Sequence, residues 1–203
     1  MRTLALAAKT VSEWLLALLL LVLLLPLFAV IALGIKLTSR GPAFYIDERV
    51  GRFGKAFRMV KFRSMHVDSP AIVTSERKVI VEENDPRVTP VGRVLRVGFD
   101  ELPQLLNVLK GEMALIGPRP DTTWMLAEYT DDIRPRLQVR PGITGLAQVL
   151  GGRDLSPEDN YRLDVSYVGN WSPWLDLRIA LYTIPYVLGA KNVGQRWRRT
   201  LLT

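Results

Sequence analysis

The stretch Trp14–Ile35, WLLALLLLVLLLPLFAVIALGI, holds no charged or strongly polar side chain. Its length of about 22 residues meets the roughly 20 that an α-helix needs to cross the hydrocarbon of a bilayer. A secretory signal would carry a shorter apolar stretch and then a small-residue cleavage site. This run is Leu-rich and ends in Lys36 and a Thr38-Ser39-Arg40 turn, so it reads as a retained membrane segment. Pro26 lies in its middle, where a missing backbone donor and a clash with the preceding turn predict a bend. Arg2 and Lys9 precede the run and Lys36 and Arg40 follow it, which gives both flanks a cytoplasmic character. The segment is therefore expected to enter the membrane, bend at Pro26 and return to the same face. A kinked spanning helix is the alternative.

Outward from this segment, 203 residues suffice for one membrane helix over residues 1–38 and one further domain over 39–203, not for two independent soluble domains. A net charge of +7 suits an anionic partner: lipid head groups, a nucleotide diphosphate or a nucleic acid. The chain has no cysteine, which excludes disulfides and thiolate chemistry, and His66 is its one histidine, which excludes histidine-pair zinc sites within one chain. Chemistry falls to carboxylates, hydroxyls, lysine and arginine.

Ala43–Ile46 and Phe57–Phe62 read as two short strands around a Gly51–Gly54 turn. Residues 68–84 are polar and unpatterned, as in a surface loop. Asp100 suits the N-cap of a short helix that carries Leu105, Leu106, Val108 and Leu109 and stops at Gly111. Trp124–Tyr129 and Pro157–Val168 also read as helices, with Tyr161 and Val165 on one face, and Pro141–Gly145 as a turn. Trp171–Leu188 has the aromatic density of a membrane-interface helix and equally that of a buried core helix.

Asp100 and Glu101 are adjacent carboxylates at a helix start, where backbone donors favour negative charge and a divalent cation is at home. An N-cap followed by a first-turn Glu explains the same pair. Arg119 between Pro118 and Pro120 has a stiff backbone that can hold its guanidinium for a phosphate; a rigid surface loop is the plainer reading. Lys61 and Arg63 share a strand face that steers a diphosphate or is merely solvated. Gly111, Gly117, Gly142 and Gly145 sit where a phosphate can approach the backbone, without any P-loop or dinucleotide fingerprint.

The order of these signals is more specific than any one of them. Asp100-Glu101-Leu102-Pro103-Gln104-Leu105-Leu106-Asn107-Val108-Leu109-Lys110-Gly111-Glu112-Met113, continuing to Ile116-Gly117-Pro118-Arg119-Pro120, resembles the signature of the bacterial sugar transferases, the monotopic polyprenyl-phosphate phosphoglycosyl transferases. The likeness extends to Lys61–Met65, Asn84–Pro90, Arg140–Val149 and Trp174–Leu177, so it covers nearly the whole chain. It implies an α+β, mainly helical fold of the small, minimal catalytic-domain type: a re-entrant N-terminal helix, amphipathic interfacial helices and a small α/β catalytic core. It also implies transfer of a sugar 1-phosphate from a UDP-sugar to polyprenyl (undecaprenyl) phosphate at the cytoplasmic face of the bacterial inner membrane, in the first membrane step of glycan assembly. Asp100 would be the nucleophile, Glu101 would help hold Mg2+ with Asp100, Arg119 and Pro120 would meet donor phosphate, and Lys61 and Asp176 match further substrate-binding positions. Membrane lipid is an expected partner, nucleic acid is not, and the aromatic C-terminal segment is compatible with a homodimer.

Three departures from the family pattern stand out. One residue is missing between Arg96 and the dyad, so Arg96 receives no role; Leu25 replaces a frequent Ser before the bending proline; and Gly151-Gly152-Arg153 is one residue longer than usual. Residues 68–84 and 150–159 are the candidates for sugar specificity. Two rival functions remain, a membrane-anchored module that binds nucleic acid or anionic lipid, and a metal-dependent hydrolase of lipid diphosphates.

Overall fold

The computed structural model describes residues 2–67, 69, 85–152 and 155–188. Helix α1 (Arg2–Thr38) comes first, followed by the antiparallel hairpin β1 (Phe44–Val50) and β2 (Ala56–Phe62), in which Tyr45 pairs with Lys61. Then come α2 (Pro90–Leu95), a 3-10 turn over Phe99–Gln104, α3 (Leu105–Leu109) and β3 (Ala114–Ile116). The strand β4 (Gly142–Thr144) lies parallel to β3 and is followed by α4 (Leu146–Leu150), α5 (Pro157–Asn170) and α6 (Pro173–Val187). The described residues are mainly helical with two small sheets, in keeping with the α+β expectation. The predicted loop over 68–84 lies outside them save for Ser69, as do residues 153 and 154 of the predicted specificity loop.

Helix α1 is unbroken through Pro26, where the sequence predicts a bend. Leu24 before Pro26 and Phe28 after it both lie against the domain. A stripe at helical spacing, Ala17, Leu20, Leu21, Leu24, Phe28, Ile31 and Ile35, faces β2, α2 and α3. Both ends of the helix meet the same domain: Lys9 bonds Asp176 at 2.6 Å, and the Ser39 carbonyl accepts from Arg63 at 3.1 Å. Leu15, Leu19, Val22, Leu23, Val30 and Leu33 on the other face are each more than half exposed.

Asp100 is not the N-cap that the sequence predicts. The chain enters through Gly98 at φ 126°, and Glu101 N–H donates back to the Gly98 carbonyl, so the dyad sits within a 3-10 turn. Gly111, at φ 77°, does end α3. Within the predicted Pro141–Gly145 turn, Gly142–Thr144 forms a strand, because β3 supplies a parallel partner that no local signal announces. The glycines there permit that pairing: a Cβ on Gly142 would lie 2.1 Å from the Gly117 nitrogen, and one on Gly145 2.2 Å from the Gly117 oxygen. Helix α6 divides the two readings of its segment, burying Leu175 and Ile179 while exposing Trp174, Leu177, Leu181 and Ile184.

Candidate active site

One side chain of the dyad motif fastens it to the hairpin, and another braces its turn from within. Asn107, fully buried, accepts from Val60 N–H at 3.0 Å and donates to the Arg58 carbonyl at 2.8 Å and to Glu112 at 2.6 Å. Buried Gln104 hydrogen-bonds the Glu101 carboxylate. The strand that carries Lys61 is thereby fixed against the turn that carries Asp100 and Glu101.

Arg119 reaches the same place from the other side, and its Nη1 and Nη2 donate to the two Glu101 oxygens at 3.2 and 2.6 Å. This is a two-pronged ion pair with the arginine side chain 47% exposed, so its outer edge is open to a ligand. Burial alone would raise the Glu101 pKa, but the charge and hydrogen bonds of Arg119, aided by Lys61, hold it at about 2. Arg119 is in turn held above its usual range by Glu101. Burial and the adjacent Glu101 raise the Asp100 carboxyl, against the pull of Lys61 and Arg96. Burial and the like charge of Arg119 push Lys61 down to about 8. Asp100, Glu101, Lys61 and Arg119 thus perturb one another as a single cluster with two carboxylates and two cations.

The structure brings together five of the six predicted positions, Pro120 being the neighbour of Arg119. It does not bring in Asp176, which accepts from Lys9 at 2.6 Å, Trp171 at 2.8 Å and Tyr167 at 2.7 Å and so ties α6 to the N-terminal part of α1. Arg63 also leaves the expected shared face. It is buried and donates to the carbonyls of Ser39, Arg40 and Pro42 behind the end of α1.

Two cations of the site escape a reading of the sequence alone. Arg96, set aside for its altered spacing, bears electrostatically on Asp100. Arg49 bears on Lys61 and donates to the Pro120 carbonyl at 3.3 Å. Tyr45, opposite Lys61 in the hairpin register, was the available clue that β1 borders the site.

The sequence matches the family described as "Bacterial sugar transferase" over residues 4–190. It is 43% identical over 195 residues to "UDP-glucose:undecaprenyl-phosphate glucose-1-phosphate transferase" of Caulobacter vibrioides, covering 91% of this chain and 71% of that protein. It is 43% identical over 160 residues to "Undecaprenyl-phosphate galactose phosphotransferase" of Salmonella typhimurium, covering 73% of this chain but 34% of that protein. It is 39% identical over 192 residues to "Exopolysaccharide production protein ExoY" of Sinorhizobium fredii, covering 89% and 85%.

Proposed function

Because the chain belongs to the bacterial sugar transferase family, we propose that it transfers a sugar 1-phosphate from a UDP-sugar to undecaprenyl phosphate, with release of UMP. The observation that carries this reading is the cluster of Asp100, Glu101, Lys61 and Arg119: a carboxylate nucleophile beside two cations that face the charge of a diphosphate. The names of the relatives support a UDP-sugar donor and an undecaprenyl-phosphate acceptor.

In the first step an Asp100 carboxylate oxygen attacks the phosphorus that bears the sugar, and the bond from that phosphorus to the oxygen bridging to the nucleoside phosphate breaks. UMP leaves with that oxygen, and Asp100 carries a phosphosugar as an acyl phosphate. In the second step an undecaprenyl phosphate oxygen attacks the same phosphorus, returning the Asp100 carboxylate and giving undecaprenyl diphosphate sugar. Arg119 and Lys61 hold the donor oxygens and offset the charge that builds on them. Glu101 keeps Arg119 aimed at the dyad.

Mg2+ is the proposed metal, held by Asp100 and Glu101. Among the described residues no group of three or more His, Cys, Asp or Glu gathers. Asp100 and Glu101, adjacent in one turn, are the one or two carboxylates such an ion would take, with substrate phosphate and water completing its shell. When bound, Mg2+ would spread the charge of the departing nucleotide.

The anchor reading rests on α1. Both of its ends meet the domain that carries the dyad, which supports a monotopic attachment with entry and exit on the cytoplasmic side. The exposed apolar faces of α1 and α6 would rest in lipid.

The test is product analysis in lipid nanodiscs with UDP-glucose or UDP-galactose, Mg2+ and undecaprenyl phosphate. A transferase gives a lipid-linked diphosphate sugar and UMP in equal amounts, and without acceptor releases at most one UMP per chain in a burst. Continuous UMP release without acceptor would instead establish a hydrolase.

A further inference from the structure

Arg119 presents its guanidinium to the dyad from a loop whose flanking carbonyls are held by Gly142 N–H, at Pro118, 2.9 Å, and by Arg49, at Pro120, 3.3 Å. The carbonyl of Arg119 itself is held by Arg136, in a 3-10 turn over Arg134–Gln138, which the sequence reading passes over. Arg136 is 4% exposed. Its Nη2 donates to the Arg119 carbonyl at 2.7 Å and to Asp164 at 2.6 Å, its Nε to Asp164 at 3.1 Å, and its Nη1 to Asp121 at 2.5 Å. Tyr129 hydrogen-bonds both Asp121 and Arg136, and the guanidinium lies 4.9 Å from the Tyr161 ring centroid. One planar fork therefore holds the main chain at Arg119 and the side chain at Asp121 at once. Pro118 and Pro120 leave the intervening backbone little freedom to compensate.

We propose that Arg136 is a positioning residue for the donor phosphates: it acts through Arg119, whose backbone it fixes, and touches no substrate. The inference rests on the transferase reading above and deepens it. The fork is what matters. A lysine retains the charge beside Asp121 and Asp164 but cannot reach both carboxylates and the Arg119 carbonyl together. A displacement of about 1 Å in a phosphate-holding group can cost on the order of 100-fold.

The experiment is a double-mutant cycle on the full chain in nanodiscs, with UDP-glucose and UDP-galactose as donors, undecaprenyl phosphate as acceptor, and thermal unfolding followed in parallel. Arg136→Lys is expected to raise the donor KM and to lower kcat/KM for the donor by about 10- to 100-fold. Arg119→Ala should raise the donor KM at least as much, and Arg119→Ala/Arg136→Lys should be no worse than Arg119→Ala, because one acts through the other. An unchanged KM in a folded Arg136→Lys protein, or effects that multiply in the double variant, overturns the proposal. Should Arg136→Lys fail to fold, the isosteric Asp121→Asn loosens the same grip and is held to the same two criteria. Absence of lipid-linked product from the wild-type protein would overturn the transferase reading, whereas transfer with multiplying effects overturns only the role given to Arg136.

Discussion

Arg119 and Arg136 both bind carboxylates, yet they do opposite work. Arg119 is half exposed, faces one carboxylate, and keeps an open edge toward the site. Arg136 is buried between Asp121 and Asp164, both bonded to it, with its remaining bonds spent on Tyr129 and a backbone carbonyl. An exposed pair can exchange its partner for a phosphate at small cost, because water solvates whatever is released. A buried guanidinium between two carboxylates cannot, since removing it strands charge in a dry interior. The protein thus separates holding from gripping, and lets a rigid arginine aim a movable one.

The largest effect that separates the two centres is on stability. Arg136→Met should lower stability by about 3–5 kcal/mol, as expected when a buried ion pair loses one partner. Arg119→Met should cost less, on the order of 1–3 kcal/mol, the loss felt by the Glu101 carboxylate that it pairs with. Thermal unfolding of the two purified variants decides the matter, and equal losses would break the comparison.

A smaller effect, on the order of 1–3 kcal/mol, lies in the pH dependence, where the centres have opposite signs. Glu101 is held at about 2, below the 4.5 of a free carboxyl, so its contribution is present above pH 4.5 and disappears as the pH falls toward 2. Asp164 is pushed by burial, against Arg136, from 3.8 up to about 6. Its contribution is therefore greatest below pH 3.8 and is lost as the pH rises through 6. Stability measured across pH 2–7 for Glu101→Gln and Asp164→Asn against wild type should show gaps of opposite slope. Gaps of the same slope would contradict the electrostatic contrast.

The smallest effect sharpens the exposed centre alone. Lys61 loses its proton near pH 8, so kcat/KM for the donor should fall as the pH rises through that value. Lys61→Arg, which stays charged, should move the alkaline limb upward by more than one pH unit. An unshifted limb would show that another group titrates.

Much of the site was legible because it lies in short contiguous motifs: the dyad, the Pro118-Arg119-Pro120 clamp, and Lys61 on a strand recognisable from its neighbours. The hairpin, α5 and the α6 segment were legible from turn residues, Pro157 in an opening turn with Tyr161 and Val165 on one face, and aromatic density. Long-range pairing was not. The β3–β4 strands are three residues each, too short for any periodicity, and exist because distant segments meet. The partners of Asp176 were not legible either, since nothing near Trp174–Leu177 tells that it pairs with Lys9, at the far end of the chain. Arg136 sits in a basic run, Arg134–Arg140, whose composition suggests a solvated surface. Only the fold buries it between two acids.

The claim beneath all of this is that Asp100 forms a covalent bond to the sugar phosphate. Mixing the full chain with UDP-glucose or UDP-galactose and Mg2+ in the absence of lipid, then quenching in acid and digesting, should leave a hexose-phosphate mass on the Asp100 peptide that chases away when undecaprenyl phosphate is added first. An Asp100→Asn protein should show neither the adduct nor turnover. Undiminished turnover in Asp100→Asn, or an adduct on another residue that the lipid consumes at the catalytic rate, would contradict the mechanism.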